Sequence, residues 1–245
     1  MKINILTLLS IFICFNLFGQ KKISGKIKDY NSGPAEVLVP TENPRIIGTV
    51  DKKGKFRITL ENDLASDVTA TQEKENAKSD GFRIKNSKVF EAFYCGSKDV
   101  ETVNGEQEIE TVGWGGSFFI GVLKEQKPVG KLALASSREF MDTYFDYGKK
   151  NFVPGYYINY MYVSEPASVK GICKTKSYTL DMKKTFDMIH NYDIDLKAGW
   201  NMVKIEVTEV YTDQDGRVRP LKYIMKTLDK LPKDVKFIFT PGDKL

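Results

Sequence analysis

The chain has 245 residues, of which 37 are Lys or Arg, 32 are Asp or Glu and one is His, so its formal net charge is +5. No dense basic cluster is interleaved with aromatic residues, which argues against a nucleic-acid-binding surface. A single histidine also argues against a Cys/His zinc site, and we predict neither a metal nor a cofactor. The length allows one large domain or two small ones, each with its own core.

The first 20 residues form the pattern of a cleaved export signal. Lys2 gives a positive start, residues 3–18 are mostly apolar, and Gly19 is the small residue that a signal peptidase requires. The alternative of a membrane anchor is weakened because an apolar run of about 16 residues is shorter than the roughly 20 needed to span a bilayer. Lipid attachment at Cys14 is a further alternative, disfavoured by the bulky residue before it. We predict an exported protein of a Gram-negative bacterium, periplasmic or extracellular, with no membrane span after cleavage.

The predicted mature chain begins with short strands separated by turns. In residues 22–28 apolar or small side chains alternate with polar ones, which indicates a strand with one buried face. Residues 36–40, 45–50 and 55–60 are also predicted strands. The segments between them are rich in Asn, Asp, Ser, Gly and Pro, which is typical of turns.

A family resemblance appears in this same region. It is carried by Ile-Ser-Gly-Lys-Ile-Lys-Asp at 23–29 and by Gly-Thr-Val-Asp-Lys-Lys-Gly-Lys-Phe at 48–56. Together these stretches resemble the carboxypeptidase regulatory-like domain, a small transthyretin-like β-sandwich, over residues 22–60. The resemblance implies a structural or spacing module without catalytic activity, which we place at 21–68.

Beyond this module we predict a linker and a second, larger domain. Residues 69–81 carry many charges and almost no apolar side chains, so we expect a linker or long loop. Residues 82–245 are predicted to form an antiparallel β-sandwich, because strand patterns alternate there with turns. Those strands are expected at 82–95 (one or two), 108–112, 117–123, 131–135, 156–163, 169–174, 186–196, 201–211, 221–228 and 235–240. One short helix is predicted at 136–147, where residues 136–139 have capping-box spacing.

Residues 197–200, Lys-Ala-Gly-Trp, predict a hairpin loop between two strands. The longer stretch 195–201, Asp-Leu-Lys-Ala-Gly-Trp-Asn, resembles a hairpin of uncharacterised secreted β-sandwich proteins of Gram-negative bacteria. That resemblance implies a compartment and a fold class but no activity. The chain as a whole is therefore predicted to be mainly β.

Each candidate catalytic group in the sequence also has a simple structural explanation. His190 lies between Met188 and Tyr192 on the apolar face of a predicted strand, which favours a core or core-edge histidine. Paired carboxylates can hydrolyse glycosides without a histidine. The local pairs are Asp193/Asp195, Asp213/Asp215 and Glu206/Glu209, and each also fits a solvent-facing strand position or a tight turn.

Aromatic residues are the better candidates for contact with a ligand. Tyr156, Tyr160 and Tyr162 fall on one face of a predicted strand and could form a surface on which a sugar or a partner protein stacks. Trp114 and Trp200 lie in glycine-containing loops, where exposed rings would be suited to binding. Ordinary packing within the sheet is the alternative for all five.

Cys95 and Cys173 remain after removal of the signal, and an oxidising compartment would allow them to pair. Two buried free thiols are the alternative.

The sequence thus predicts a non-catalytic binding or structural module of the bacterial envelope, with a glycan or another envelope protein as its binding partner. The alternative is a carbohydrate-active hydrolase that uses two carboxylates. A third possibility is a subunit of an outer-membrane assembly.

Overall fold

The computed structural model describes residues 21–39, 44–79, 81, 83, 85–96, 99–113, 116–125, 127–145, 151–179 and 182–242. Within these residues the chain is mainly β, as predicted, with strands far exceeding helices. The predicted export signal, residues 1–20, lies outside this range. None of the described helices has the length and apolar character needed to cross a bilayer.

The elements follow one another in three stretches of chain. The first contains β1 (Lys21–Lys26), β2 (Ala35–Val39), β3 (Arg45–Val50), β4 (Lys55–Leu60) and α1 (Asp63–Lys78). The second contains β5 (Ser87–Lys88), α2 (Val89–Ala92), β6 (Val100–Val103), β7 (Glu108–Thr111), β8 (Ser117–Val122), a 3-10 turn (Leu123–Glu125), β9 (Lys127–Ala135) and α3 (Arg138–Phe145). The third contains β10 (Gly155–Val163), β11 (Ala167–Tyr178), β12 (Thr185–Leu196), β13 (Gly199–Thr212), β14 (Val218–Leu228) and β15 (Lys236–Pro241).

The strands join in one long mixed sheet. Its order is β1-β4-β3-β2-β8-β9-β10-β13-β14-β12-β11-β6, with β15 on β9, β7 on β10 and β5 on β7. β9 and β10 are joined only at Ala135 and Tyr157, so this is where the sheet passes from one half to the other. All strand pairs are antiparallel except β12 with β14. The larger domain was predicted to be antiparallel, and this one pair of strands is an exception.

Two hydrophobic cores fill the molecule, one on each face of the β10–β13 pair. The first joins Ile23 and Phe56 of the N-terminal strands to Phe118 and Ile158 of the later ones. The second lies under α2 and α3 and includes Phe140 and Ile194, among others. Because β2 pairs with β8, the N-terminal strands share both a sheet and a core with the rest of the chain.

Strand positions agree closely with the sequence pattern. β3 and β4 begin and end where they were predicted, and β10 and β12 do so within a residue. The predicted helix at 136–147 is α3, with Phe140 and Met141 buried. Its first turn is capped by Ser137, whose hydroxyl accepts a 3.0 Å hydrogen bond from the Phe140 amide.

The linker predicted at 69–81 is wrong, because most of it belongs to the 16-residue helix α1. Its Ala, Gln, Glu and Lys residues have high helix propensity and it contains no proline. Leu64 and Ala65 in its first turn are buried and Val68 packs partly buried against the first core, whereas the later turns are mostly polar. The prediction of one or two strands at 82–95 is also corrected, since the described part of this segment contains the two-residue β5 and the short helix α2.

The hairpin predicted at 197–200 is corrected as well. β12 and β13 do not pair, because β14 lies between them, parallel to β12 and antiparallel to β13. Residues 197–198 therefore cross over the end of β14. The buried Asn201 side chain fixes this crossing by accepting a 2.9 Å bond from the Lys197 amide and donating to the Lys197 and Gly199 carbonyls. Gly199 has a φ of +98°, which favours glycine.

Candidate functional site

A groove lies between helix α1 and the strands β7 and β10. Its volume is about 350 Å³. We call it the α1 groove and define it by its lining residues: Ala65, Ser66, Thr69, Ala70, Glu73, Glu108, Glu110, Tyr162 and Ser164. Three of these are acids and none is basic, although the chain as a whole has a positive net charge. The groove is therefore acidic and combines carboxylates, hydroxyls and one aromatic ring.

Glu110 is the central polar group of the α1 groove. It lies on β7 with only 6% of its surface exposed. Its Oε1 atom accepts a 2.6 Å hydrogen bond from the Thr69 hydroxyl of α1 and a second, short one from the Asn86 amide. Burial raises the pKa of the Glu110 carboxyl; the two hydrogen bonds oppose this shift, and the nearby negative charge of Glu108 reinforces it.

The other two acids of the groove are exposed. Glu108 lies two residues before Glu110 on β7, and the Asn86 amide reaches both carboxyl groups, at 3.4 Å for Glu108. Glu73 projects from α1. Two carboxyl groups on one wall therefore have different surroundings, one buried and one solvated.

Tyr162 connects the groove to an aromatic pair. Its ring packs edge-on against Trp200, with centroids 5.4 Å apart and planes at 61°. The Trp200 indole is held in place because its Nε1 atom donates a 2.8 Å bond to the Glu61 carbonyl, just before α1. Both rings remain partly exposed. These are the two predicted contact residues that the structure brings together.

A second cavity of about 320 Å³ lies beyond Trp200. Its walls include the crossing at residues 197–199 together with Asn62, Leu228 and Asp229. Because Trp200 lines this cavity and Tyr162 lines the α1 groove, the aromatic pair separates two adjacent depressions.

The other predicted contact residues lie elsewhere. Tyr156 and Tyr160 are buried in the first core, so the prediction that they form a contact surface is wrong. The Tyr156 hydroxyl donates to Asp234 at 3.0 Å, and the Tyr160 ring packs 5.8 Å from Phe118. The N-terminal half of the sheet covers this strand face and leaves only its far end, Tyr162, at the surface. Trp114 lies outside the described residues.

The carboxylate pairs singled out in the sequence are occupied in structural roles. Asp193 and Asp195 both bind Lys170, at 2.6 and 3.0 Å. Glu206 and Glu209 pair with lysines at 2.5 and 2.8 Å. Asp213 accepts bonds from the amides of residues 215 and 217 and so closes the β13–β14 turn.

The pair that does line a groove, Glu108 and Glu110, was missed. An acid at every second position from 106 to 110 was the available signal. Its meaning depends on α1, which covers Glu110 and supplies Thr69, whereas the sequence predicts a linker or long loop at 69–81.

His190 lies at the edge of the second core, as predicted. Its ring stacks on Tyr223 at 4.9 Å and on Tyr192 at 6.0 Å. Burial lowers the pKa of His190, and among the described residues its Nδ1 atom has no hydrogen-bond partner. Because it stacks on both rings, His190 acts as an aromatic spacer between two tyrosines.

Cys95 and Cys173 form a disulfide, with Cα atoms 5.7 Å apart. The bond ties the segment after α2 to the middle of β11 and settles the alternative that the sequence left open.

No protein-family model, curated protein or solved structure matches the chain. Among the described residues, no group of three or more His, Cys, Asp or Glu side chains is placed to hold a metal ion.

Proposed function

We propose that this protein is an exported, non-catalytic β module of the bacterial envelope that binds a glycan in the α1 groove. The observation that carries the proposal is the position of the Tyr162 ring beside the groove's carboxyl and hydroxyl groups. A sugar offers an apolar ring face and a rim of hydroxyls. An aromatic side chain next to a few fixed polar groups is the arrangement that matches both.

The polar groups of the groove can receive sugar hydroxyls. Glu108 and Glu73 are exposed carboxylates, which accept charge-assisted hydrogen bonds. The Ser164 hydroxyl donates to Gln107 at 2.8 Å, so its oxygen keeps acceptor capacity toward the groove. Glu110 accepts hydrogen bonds from Thr69 and Asn86, and Glu108 accepts one from Asn86.

The aromatic pair favours a ligand longer than one sugar. Tyr162 is fixed against Trp200, and Trp200 is fixed by its bond to the Glu61 carbonyl. Because these rings are held before any ligand arrives, binding loses little side-chain entropy on ordering them. The second cavity beyond Trp200 offers room for a further unit of an oligosaccharide.

Titration with soluble hexasaccharides of β-1,4-linked glucose, β-1,4-linked N-acetylglucosamine and β-1,4-linked mannose, followed by isothermal calorimetry, tests the proposal. Tyr162→Ala should weaken binding of the best hexasaccharide by about tenfold or more, which corresponds to roughly 1.4 kcal/mol. Tyr162→Phe should retain most of it. The matched control is Tyr178→Ala, which removes an exposed tyrosine far from the groove along the chain. Absence of binding by all three sugars, or equal binding by Tyr162→Ala, would contradict the proposal.

A second candidate function is glycoside hydrolysis, favoured by the Glu108–Glu110 pair. A buried acid with a raised pKa beside a solvent-exposed carboxyl group resembles the pairing that glycosidases use. The assay is release of reducing ends from the same hexasaccharides. A binding module releases none, and Glu110→Gln leaves its affinity nearly unchanged. Turnover that disappears in Glu110→Gln would instead establish the hydrolase.

A further inference from the structure

Strand β11 has one open edge. It pairs with β12 along its whole length, whereas β6 covers only residues 168–171 on the other side. In the described parts of the chain no strand lies beside residues 172–178. Every second residue of this stretch therefore directs its backbone N–H and C=O away from β12, toward a side on which the described residues place no strand. We call residues 172–178 the β11 edge.

The side chains of the β11 edge alternate in a defined way. Ile172, Lys174, Lys176 and Tyr178 are exposed on one face, and the residues between them point the other way. Cys173 is among these and is fully buried in the disulfide with Cys95. The disulfide anchors the edge where its pairing with β6 stops, so the exposed row is held on a fixed strand.

Most of the exposed large apolar side chains belong to β11 or to segments joined to it. Seven large apolar side chains of the described residues are exposed, and six belong to β11, the turn after it, β6 or the segment that the disulfide ties to β11. These six are Phe90, Tyr94, Val103, Ile172, Tyr178 and Met182. Ile172 is 51% exposed and Tyr178 57%. Ile172 and Tyr178 belong to the exposed row itself, and exposed apolar side chains of this kind are typical of surfaces that contact a partner.

The opposite end of the sheet provides a comparison. β1 is also an edge strand, paired only with β4, and it carries Lys22 and Lys26. It has no exposed large apolar side chain. Lysines without apolar neighbours are how proteins protect an edge from unwanted pairing. The β11 edge differs because two apolar residues flank its lysines.

We propose that the β11 edge binds an extended segment of a partner protein, which adds to the sheet as a further strand. The row Ile172-Lys174-Lys176-Tyr178 selects a segment with acidic residues at two alternate positions and apolar residues two positions outside them. A second copy of this edge is a poor occupant, because antiparallel self-pairing centred between Lys174 and Lys176 would set lysines opposite lysines. The partner is therefore an acidic, extended peptide segment, and the surface is separate from the α1 groove.

Fluorescence anisotropy with a labelled peptide tests this proposal on the mature chain. The probe is acetyl-Val-Thr-Glu-Thr-Glu-Thr-Val-amide, which presents its acids and apolar ends equally in either orientation. We expect saturable binding to the wild type. Lys174→Glu/Lys176→Glu should weaken it by about tenfold or more, because two attractive cross-strand pairs become repulsive. The same variant should gain affinity for the peptide in which both Glu residues are replaced by Lys.

Two controls separate strand addition from simple charge attraction. Lys22→Glu/Lys26→Glu makes the same change in net charge on the β1 edge and should leave peptide binding unchanged. A peptide with a methyl group on every backbone nitrogen keeps its charges but cannot pair with a strand along either edge, and it should not bind. Absence of saturable binding, equal loss in both lysine variants, or binding of the N-methylated peptide would each overturn the proposal. None of these outcomes bears on glycan binding, since Tyr162 lies in the α1 groove.

Discussion

The Thr69 hydroxyl of helix α1 donates a 2.6 Å hydrogen bond to the buried carboxyl group of Glu110 on strand β7. This bond attaches a largely polar helix to the sheet at the α1 groove. A neutral donor facing a buried acid makes the attachment sensitive to the acid's ionisation.

The ionisation of Glu110 should reduce the stability of the folded chain. Burial raises its pKa in the folded state, so the protonated form is favoured there and ionisation carries a cost. In the unfolded chain the pKa of this carboxyl group is near 4.5. As pH rises above that value the free energy of unfolding falls, and the full loss is reached above the folded-state pKa. Glu110→Gln removes it, so this variant should be more stable than the wild type at pH 7 and should lose that advantage at pH 4. Urea denaturation at both pH values measures the difference; an advantage that is the same at both would contradict the expectation.

Loss of the disulfide should be strongly destabilising. Cys95 and Cys173 are 78 residues apart in sequence, and closing such a loop contributes on the order of 4 kcal/mol in the chain-entropy model. Cys95→Ala/Cys173→Ala should lower the free energy of unfolding by about 2–4 kcal/mol. Guanidinium denaturation with and without dithiothreitol measures it. The reductant should destabilise the wild type and leave the double variant unaffected.

His190 should make the fold sensitive to mild acid. Burial lowers its pKa in the folded state below the ordinary value of 6.5, so the neutral ring is the form that the fold favours. Stability is therefore complete above pH 6.5 and falls as pH drops toward the folded pKa, by at most about 1.4 kcal/mol per pH unit. His190→Phe keeps a ring between Tyr192 and Tyr223 and should remove this decline. Comparison of the unfolding free energies of both proteins at pH 7.5 and 5.5 isolates the histidine; parallel declines would assign the loss to other groups.

Arg45 should control the order of α1. Its guanidinium binds Glu61 at 2.7 Å, Asp63 at 3.1 Å and Asp67 through a further short contact. Arg45→Ala leaves Asp63 and Asp67 as a like-charged i,i+4 pair in the helix, which should cost about 1 kcal/mol. Hydrogen exchange of the α1 amides should accelerate while that of β10 stays slow. Arg45→Lys should give an intermediate effect, because an ammonium group cannot bind three carboxylates in a planar fork.

The alternation of apolar and polar residues was sufficient to predict most strands. It did not predict features that depend on contacts between elements distant in sequence. β4 carries its own signal, since Phe56, Ile58 and Leu60 alternate with polar residues and are all buried. The position of β14 between β12 and β13 has no local signal, because either neighbour would suit its side chains. The α1 groove was missed for the same reason. Glu110 is recognisable as a special acid only once Thr69 and Asn86 are known to reach it.

The insertion of β14 has a consequence for the order of folding. β12 and β13 are adjacent in sequence, yet neither completes its ladder until residues 218–228 enter the gap between them. Likewise, β9 (residues 127–135) lacks one of its neighbours until β15 is available to pair with it. During synthesis the N-terminal strands can therefore pair early, whereas the half of the sheet that carries β11 and His190 stays incomplete until residues 218–228 have emerged. Pairing between strands far apart in sequence slows folding. The incomplete half of the sheet is therefore accessible to chaperones for longer than the N-terminal half.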